Sequence, residues 1–174
     1  RHTTVECVGI SYSILDNFDN IKDLVLLLLD KTDFNIVLRH HPSVGRSGLL
    51  KLPFQNRIKF SNFTIEKPYV FLGRIDLLIA GCSGILLDAA EQNVYPVFYD
   101  STGCFQDFNG FVKEGLAVYV KSQIDCIKML KKVKKSRPYI RNKALLFNSV
   151  INTKNDGRSS ILASRVISNY QPQL

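Results

Sequence analysis

A short basic stretch, Arg39-His40-His41-Pro42, has residue types suited to a negatively charged ligand and directly follows a run predicted as a strand. An Arg guanidinium offers a planar fork to phosphate oxygens, and an imidazole held by a following Pro donates a hydrogen bond to phosphate or moves a proton. Two adjacent His without a third ligand make a poor metal site. Local hydrogen bonding within a loop is the alternative role of the pair.

A second stretch, Gly81-Cys82-Ser83-Gly84, follows the most apolar predicted strand and opens a predicted helix. Small residues let a ligand approach the backbone, free amides at a helix start attract phosphate, and Ser83 adds a hydroxyl. Asp88, one turn later, is placed to accept hydrogen bonds from ribose hydroxyls. The stretch is neither a P-loop nor a GxGxxG fingerprint, and a plain turn with Ser83 as N-cap is the alternative.

A weaker signal is Ser11-Tyr12-Ser13, which we expect after the first strand, where hydroxyls would meet a diphosphate or form a plain turn. The sequence contains no GxSxG elbow, HExxH helix or kinase signature, and Cys82 has no context typical of a nucleophile. These features argue against a self-contained hydrolase.

The elements that must position these residues alternate between β-branched runs and helical patterns, as in a parallel sheet covered on both faces. Candidate strands are residues 5–10, 34–38, 57–60, 76–80, 96–99 and 117–120. Candidate helices are residues 17–31, 84–93, 123–134, 141–151 and 159–169, with a polar turn at 152–157. We therefore expect an α/β fold with a Rossmann-like parallel sheet of about six strands and helices on both faces.

The first predicted helix carries apolar residues around its whole circumference at 24–29. Packing on the sheet alone would leave leucines in water, so a second face must be covered. A neighbouring helix of the same domain is the favoured cover, and a part of the protein outside this chain is the alternative.

The chain of 174 residues has the length of one domain, with 45% hydrophobic and 22% charged residues, which excludes disordered, collagen-like and coiled-coil classes. The net charge of +8 lies in residues 121–143, which hold nine Lys or Arg and a single acid, Asp125. Such a stripe is typical of a surface that meets nucleic acid or an anionic membrane, and a solvated helix face is the alternative.

Four widely spaced cysteines form no CxxC pair and no zinc-finger spacing, so we expect reduced thiols in a cytoplasmic protein. No apolar run approaches the roughly 20 residues of a membrane span. The chain opens without Met or a leader, which indicates a single-domain piece, residues 1–174, of a longer protein.

The order of these pieces resembles the C-terminal, nucleotide-binding half of two-domain glycosyltransferases of the GT-B type. Residues 36–42, with the sequence IVLRHHP, resemble the strand and R-x-H-P segment of enzymes that build bacterial surface polymers. Residues 76–90 resemble a second segment of these enzymes, which consists of a strand, a short turn that contains Ser, and a helix that carries an acidic residue. Residues 95–100 resemble the strand that follows it. Relatives include capsule polysaccharide transferases, transferases of CMP-activated sugars, and the CDP-glycerol glycerophosphotransferases of teichoic acid synthesis.

The resemblance implies a donor nucleotide at the carboxyl edge of the sheet, with the acceptor presented by an N-terminal domain outside this chain. His41 would bind a donor phosphate and act as general acid, supported by Arg39 and Pro42. Ser83 and the amide of Gly84 would hold phosphate, with Ser11 nearby and Asp88 at the ribose. Catalysis would be electrostatic, without a metal or other cofactor beyond the CMP- or CDP-linked donor, and this domain alone would be inactive.

Under this resemblance the protein is a transferase of bacterial surface polysaccharide synthesis, cytoplasmic or peripheral at the inner membrane face, with residues 121–143 meeting anionic lipid. Nucleic acid is not expected as a partner. One alternative is half of a nucleotide-sugar epimerase, which shares the architecture. Another is a nucleic-acid-binding module that uses the basic stripe, although Tyr139 is its single aromatic residue.

Overall fold

The predicted strands form one parallel sheet. The structure is a computed structural model, and it describes residues 5–44, 52, 56–135, 137–148 and 159–169. The strands are β1 (Cys7–Tyr12), β2 (Asn35–His40), β3 (Ile58–Ser61), β4 (Leu77–Ala80), β5 (Tyr95–Tyr99) and β6 (Val118–Val120). Their order in the sheet is β3-β2-β1-β4-β5-β6, with every neighbouring pair parallel. The expected Rossmann-like α/β fold is therefore confirmed.

Helices cover both faces of this sheet. They are α1 (Phe18–Lys31), α2 (Pro68–Leu72), α3 (Ile85–Glu91), α4 (Gln123–Lys135), α5 (Arg141–Phe147) and α6 (Ser159–Asn169). The buried side chains of α1 and α4 share one apolar cluster with one face of the strands, and those of α2, α3 and α5 share a second cluster with the other face. Among the described helices, none is both long enough and apolar enough to cross a bilayer.

The leucine-rich helix α1 is covered on two sides, as its sequence predicts. Leu24, Val25 and Leu28 are fully buried, and the other leucines of the run are half-buried. The cover is α4, whose Cys126 and Leu130 are fully buried in the same cluster. A neighbouring helix of the same domain is thus the second packing partner of α1.

The first two strands end two residues later than predicted, which corrects the expected positions of two site residues. Ser11 lies inside β1 and not in a turn after it, and Arg39 lies inside β2. At the other end of β1, the carboxylate of Asp76 accepts hydrogen bonds from the amides of Glu6 and Cys7, both at 3.0 Å. These bonds hold the start of β1 against the residue that precedes β4.

The helices after β6 match the prediction in part. The structure ends α5 at Phe147, and the rest of the predicted helix at 149–151 and the turn at 152–157 lie outside the described residues. Helix α6 has the predicted bounds, and α4 extends one residue further. The short helix α2 was not predicted because five residues cannot display helical periodicity, although Pro68 in its first turn is a typical start signal.

Candidate functional site

The three polar stretches singled out in the sequence lie side by side at the carboxyl edge of the sheet. Strand β1 runs between β2 and β4, and Ser11 is in register with Arg39 on one side and Ala80 on the other. The strand order reverses at β1 and β4, and such a point leaves a crevice where ligands bind in open α/β sheets. The switch point lies between β1 and β4, so the residues after β4 border it directly and those after β2 lie one strand further away.

His41 is the first residue after β2, and its ring is held by the turn that follows. Residues Pro42–Val44 form a single 3-10 turn, in which the amide of Val44 donates to the carbonyl of His41 at 3.0 Å. The amide of His41 donates to the carbonyl of Tyr12 at 2.7 Å, which anchors it to the end of β1. The ring itself is exposed.

The contacts of the His41 ring fix which nitrogen carries the proton. The amide of Ser43 donates to Nδ1 at 3.1 Å, and the Ser43 hydroxyl lies 2.8 Å from the same nitrogen. A backbone N–H can only donate, so Nδ1 is the acceptor and the proton of the neutral ring is assigned to Nε2. The exposed ring thus presents an N–H donor, which suits a phosphate oxygen.

Arg39 is buried rather than presented to solvent, at 6% exposure. One terminal nitrogen donates to the hydroxyl of Ser61 at 2.6 Å, the other donates to the carbonyl of Glu66 at 2.9 Å, and the guanidinium stacks 5.4 Å from the ring centroid of Phe71. Burial lowers the pKa of this guanidinium. Its described contacts tie β2 to β3 and to the segment before α2, which is a positioning role.

The turn after β4 holds Ser83 and Gly84 where the sequence predicts, but the helix starts one residue later. Gly84, not Ser83, is the N-cap of α3, and no side chain caps the helix. The Ser83 hydroxyl lies 3.5 Å from the amide of Ile85, at the outer limit of a hydrogen bond. Gly84 is exposed, and a Cβ built on it would meet nothing within 4 Å. The space beside Gly84, next to the half-buried Ser83, is therefore open.

Asp88 lies in the first turn of α3 on its exposed side, opposite the buried Leu86, Ala89 and Ala90. Partial burial, and then the nearby carboxylate of Glu91, raise its pKa. No hydrogen bond among the described residues joins Asp88 to Ser83 or His41. The structure thus brings His41, Ser83 and Gly84 to one edge and leaves Asp88 further along the helix.

Sequence reasoning missed a group of residues from the loops after β1 and β5. The carboxylate of Asp16 accepts hydrogen bonds from the amide of Ser13 at 2.8 Å and from the hydroxyl of Ser101 at 2.9 Å. The Ser101 hydroxyl in turn accepts from the amide of Asn17 at 3.1 Å. The polar residues directly after β5 could have identified this group in the sequence. They follow the carboxyl end of a parallel strand, as do the stretches after β2 and β4.

Asp100 organises the loop after β5. Its Oδ1 accepts hydrogen bonds from the amides of Thr102 at 3.3 Å and Gly103 at 2.9 Å, and its Oδ2 accepts from the hydroxyl of Tyr119 at 3.2 Å. Gly103 has φ of +76°, a left-handed conformation that favours glycine. The loop is therefore fixed by a buried carboxylate.

A cavity of about 200 Å³ lies between these loops at the end of β4. The residues that line it include Asp16, Cys82, Asp100, Cys104 and Phe108. Phe108 is 77% exposed, so the lining combines an exposed apolar ring with acidic residues. Carboxylates repel phosphate but accept hydrogen bonds from hydroxyls, so the lining suits a hydroxyl-bearing group.

Comparisons with known proteins find likeness at the level of structure. No protein-family model matches the chain, and no curated protein matches it either. The calicheamicin glycosyltransferase CalG4 superposes with a TM-score of 0.58 over 96% of this chain and 44% of its own, at 10% identity. The glycosyltransferase SnogD from Streptomyces nogalater gives a TM-score of 0.53 over 97% of this chain and 43% of its own, at 14% identity.

A third similar structure is KpsC from Thermosulfurimonas dismutans, described as a beta Kdo 2,4 transferase, with a TM-score of 0.50 and 16% identity. The match covers 80% of this chain and 43% of that one. The chain thus spans less than half the length of each of these structures. At these identities the likeness concerns the fold alone. The chain has the Rossmann-like fold of one half of a GT-B glycosyltransferase.

Proposed function

We propose that this chain is the C-terminal half of a GT-B glycosyltransferase or related glycerophosphotransferase, and that it binds a nucleotide-activated donor at the carboxyl edge of its sheet. The observation that carries the proposal is that His41, after β2, and Ser83, after β4, lie at the same carboxyl edge on either side of β1. Neighbouring strands lie about 4.8 Å apart, so the ends of β2 and β4 are roughly 10 Å apart. A donor larger than a single phosphate would contact both.

His41 and Ser83 have complementary roles in this proposal. The Nε2–H of His41 donates a hydrogen bond to a phosphate of the nucleotide donor. The hydroxyl of Ser83 donates a hydrogen bond to the phosphate group of the same nucleotide from the side of β4. Both donate hydrogen bonds to the leaving group, so they stabilise the charge that develops as its bond to the transferred group breaks. Gly84 lets the phosphate approach the backbone, since nothing occupies the space where its side chain would be.

The remaining residues act around this pair. Arg39 positions the end of β2 through Ser61 and Glu66, and Pro42 begins the turn that holds the His41 ring. The cavity beside Asp16 and Asp100 takes the transferred polyol or sugar, whose hydroxyls suit carboxylate acceptors. Ser11 is buried inside β1, so its role is to pack beneath the carboxyl edge of the sheet. Asp88 remains the proposed ribose contact.

The acceptor and the base that activates it belong to a second half in this proposal. The similar structures are more than twice as long as the match, which supports a two-domain protein. We place the reaction in bacterial surface polysaccharide synthesis on the cytoplasmic side, with a cytidine nucleotide as the favoured donor. The support for this context is the R-x-H-P and Ser segments of the sequence.

The test is calorimetric titration of the 174-residue chain with CMP, CDP, UMP, UDP and GDP. We expect selective binding of a cytidine nucleotide, with at least a tenfold loss of affinity in His41→Ala and Ser83→Ala, because each removes a hydrogen bond to a charged phosphate. His40→Gln and Ser122→Ala are matched controls. The His40 ring packs on Phe63 at 4.9 Å, and Ser122 caps α4 through the amide of Asp125.

Two results would contradict the proposal. If no nucleotide binds at millimolar concentration, this chain does not carry the donor site. If a nucleotide binds but the His41 and Ser83 variants match their controls, the site lies elsewhere. Conversion of a bound nucleotide sugar to its epimer by the chain, detected by NMR, would favour the epimerase alternative.

A further inference from the structure

Helix α4 has two chemically different sides. Its buried side holds Cys126, Ile127, Leu130 and Val133, which pack on α1 and the sheet. Its outward side carries Lys128, Lys131, Lys132 and Lys135, all exposed, which we call the lysine row. The row follows helical spacing, and its eight residues rise about 10 Å along the axis. The buried side fixes the orientation of the helix, so the row is a rigid, outward-facing feature.

Most of this positive charge is not neutralised within the protein. Lys128 pairs with Asp125 at 3.8 Å, and Lys134, outside the row, pairs with Asp33 at 2.6 Å. Among the described residues, Lys131, Lys132 and Lys135 form no salt bridge. Like charges three and four residues apart on a helix repel one another. An uncompensated row of this kind is suited to an anionic partner outside the chain.

The composition of the row favours a lipid surface over nucleic acid. Lys ammonium groups are strongly hydrated point charges that suit a diffuse anionic surface, whereas nucleic-acid sites combine charge with Arg forks and stacking aromatics. The row contains neither. Ile124 lies four residues before Lys128 on the same side of the helix and is 63% exposed, so an apolar side chain stands at the end of the row. An exposed apolar side chain beside a row of ammonium groups can enter the headgroup region while the ammonium groups meet anionic lipid.

We propose that the lysine row of α4, with Ile124, docks the domain on the surface of a bilayer that contains anionic lipids. The row faces away from the sheet, so docking leaves the carboxyl edge with His41 and Ser83 uncovered. Binding is electrostatic and reversible, and it weakens as salt is raised. Docking of the lysine row on lipid does not depend on the proposed donor site.

The experiment is sedimentation of the chain with vesicles of phosphatidylcholine alone or mixed with phosphatidylglycerol, at about 0.15 M ionic strength. The test variant is Lys131→Gln with Lys132→Gln and Lys135→Gln, which keeps helix formers in α4. The matched control is Lys59→Gln with Lys67→Gln and Lys113→Gln, which removes three exposed lysines from other parts of the domain. Both variants lower the net charge equally.

We expect binding to the mixed vesicles but not to phosphatidylcholine alone. The row variant should bind roughly 10- to 100-fold more weakly, and the control should change less than about threefold. Equal losses in both variants would overturn the proposal, because net charge and not the row would then drive binding. Absence of binding to the mixed vesicles would also overturn it, as would binding of a DNA or RNA oligonucleotide that the mixed vesicles do not displace.

Discussion

The hydroxyl of Ser101 donates a hydrogen bond of 2.9 Å to Oδ1 of Asp16, which joins the loop after β5 to the loop before α1. The two residues are 85 positions apart in the chain, and the bond passes across the end of β4, where Gly81 lies. Ser101 is 3% exposed, so water does not replace this contact. Both residues line the cavity at the end of β4.

We expect Asp16 and Ser101 to be energetically coupled. Asp16→Ala and Ser101→Ala should each lower the free energy of unfolding by about 1–3 kcal/mol, since each leaves buried hydrogen-bonding groups without partners. The double variant should lose less than the sum, with a coupling of about 0.5–3 kcal/mol in a urea-unfolding cycle. The exposed pair of Thr64 and Asn62, whose side chains are 2.7 Å apart, serves as the control cycle and should show little coupling. Strict additivity for Asp16 and Ser101 would contradict this prediction.

A side chain at position 81 is expected to destabilise the domain, because it would meet Asp16. A Cβ at position 81 would lie 2.5 Å from Oδ1 of Asp16, which is closer than real contacts allow. Gly81→Ala should therefore destabilise the domain by about 1–3 kcal/mol in urea unfolding. Gly84→Ala, three residues away in open space and with an ordinary helical φ of −59°, should change stability by no more than about 0.5 kcal/mol. Equal effects at the two positions would show that the loop moves aside.

The environment of His40 leads us to expect that the stability of the domain depends on pH. Burial, and then the charge of Arg39, lower the pKa of this imidazole below its ordinary value. The folded state therefore binds fewer protons than the unfolded state, and stability is lost as pH falls below the unfolded value of about 6.5. The free energy of unfolding should fall between pH 7.5 and 5.5, and His40→Gln should remove part of that fall. An unchanged slope in the variant would mean that other groups cause it.

The cysteines should differ sharply in reactivity. Cys104 is exposed, whereas Cys126 is fully buried and burial raises its pKa to about 12. Because the thiolate is the reactive form, a thiol reagent at neutral pH should modify Cys104 quickly and Cys126 only after unfolding. Cys104→Ser should remove the fast phase, and Cys126→Ser should leave it intact. Rapid loss of the Cys126 thiol in the native protein would contradict the packing of α4 on α1.

Occupation of the cavity should also protect its thiols. Cys82 and Cys104 both line it, so a donor whose transferred group enters the cavity should slow the modification of both. Cys7 lies outside the cavity lining and serves as the internal reference. Protection confined to Cys82 and Cys104 would link the proposed donor site to the cavity.

The sequence by itself determined the fold class and the edge of the sheet where ligands would bind. Alternating β-branched runs and helical patterns fit only a parallel sheet with covered faces, and all carboxyl ends of such a sheet lie at one edge. The position of His41 after β2, and of Ser83 and Gly84 after β4, followed from that rule. These features depend on local periodicity and on a general property of parallel strands.

Only the tertiary structure decided which of these residues face the edge. Ser11 and Arg39 lie inside strands because a ladder continues wherever a neighbouring strand supplies partners, and no local pattern records that. The Asp16–Ser101 bond and the position of Asp16 over Gly81 join residues far apart in the chain. Such contacts depend on how loops from three strands meet, so the cavity that they form emerges from packing and not from any one segment.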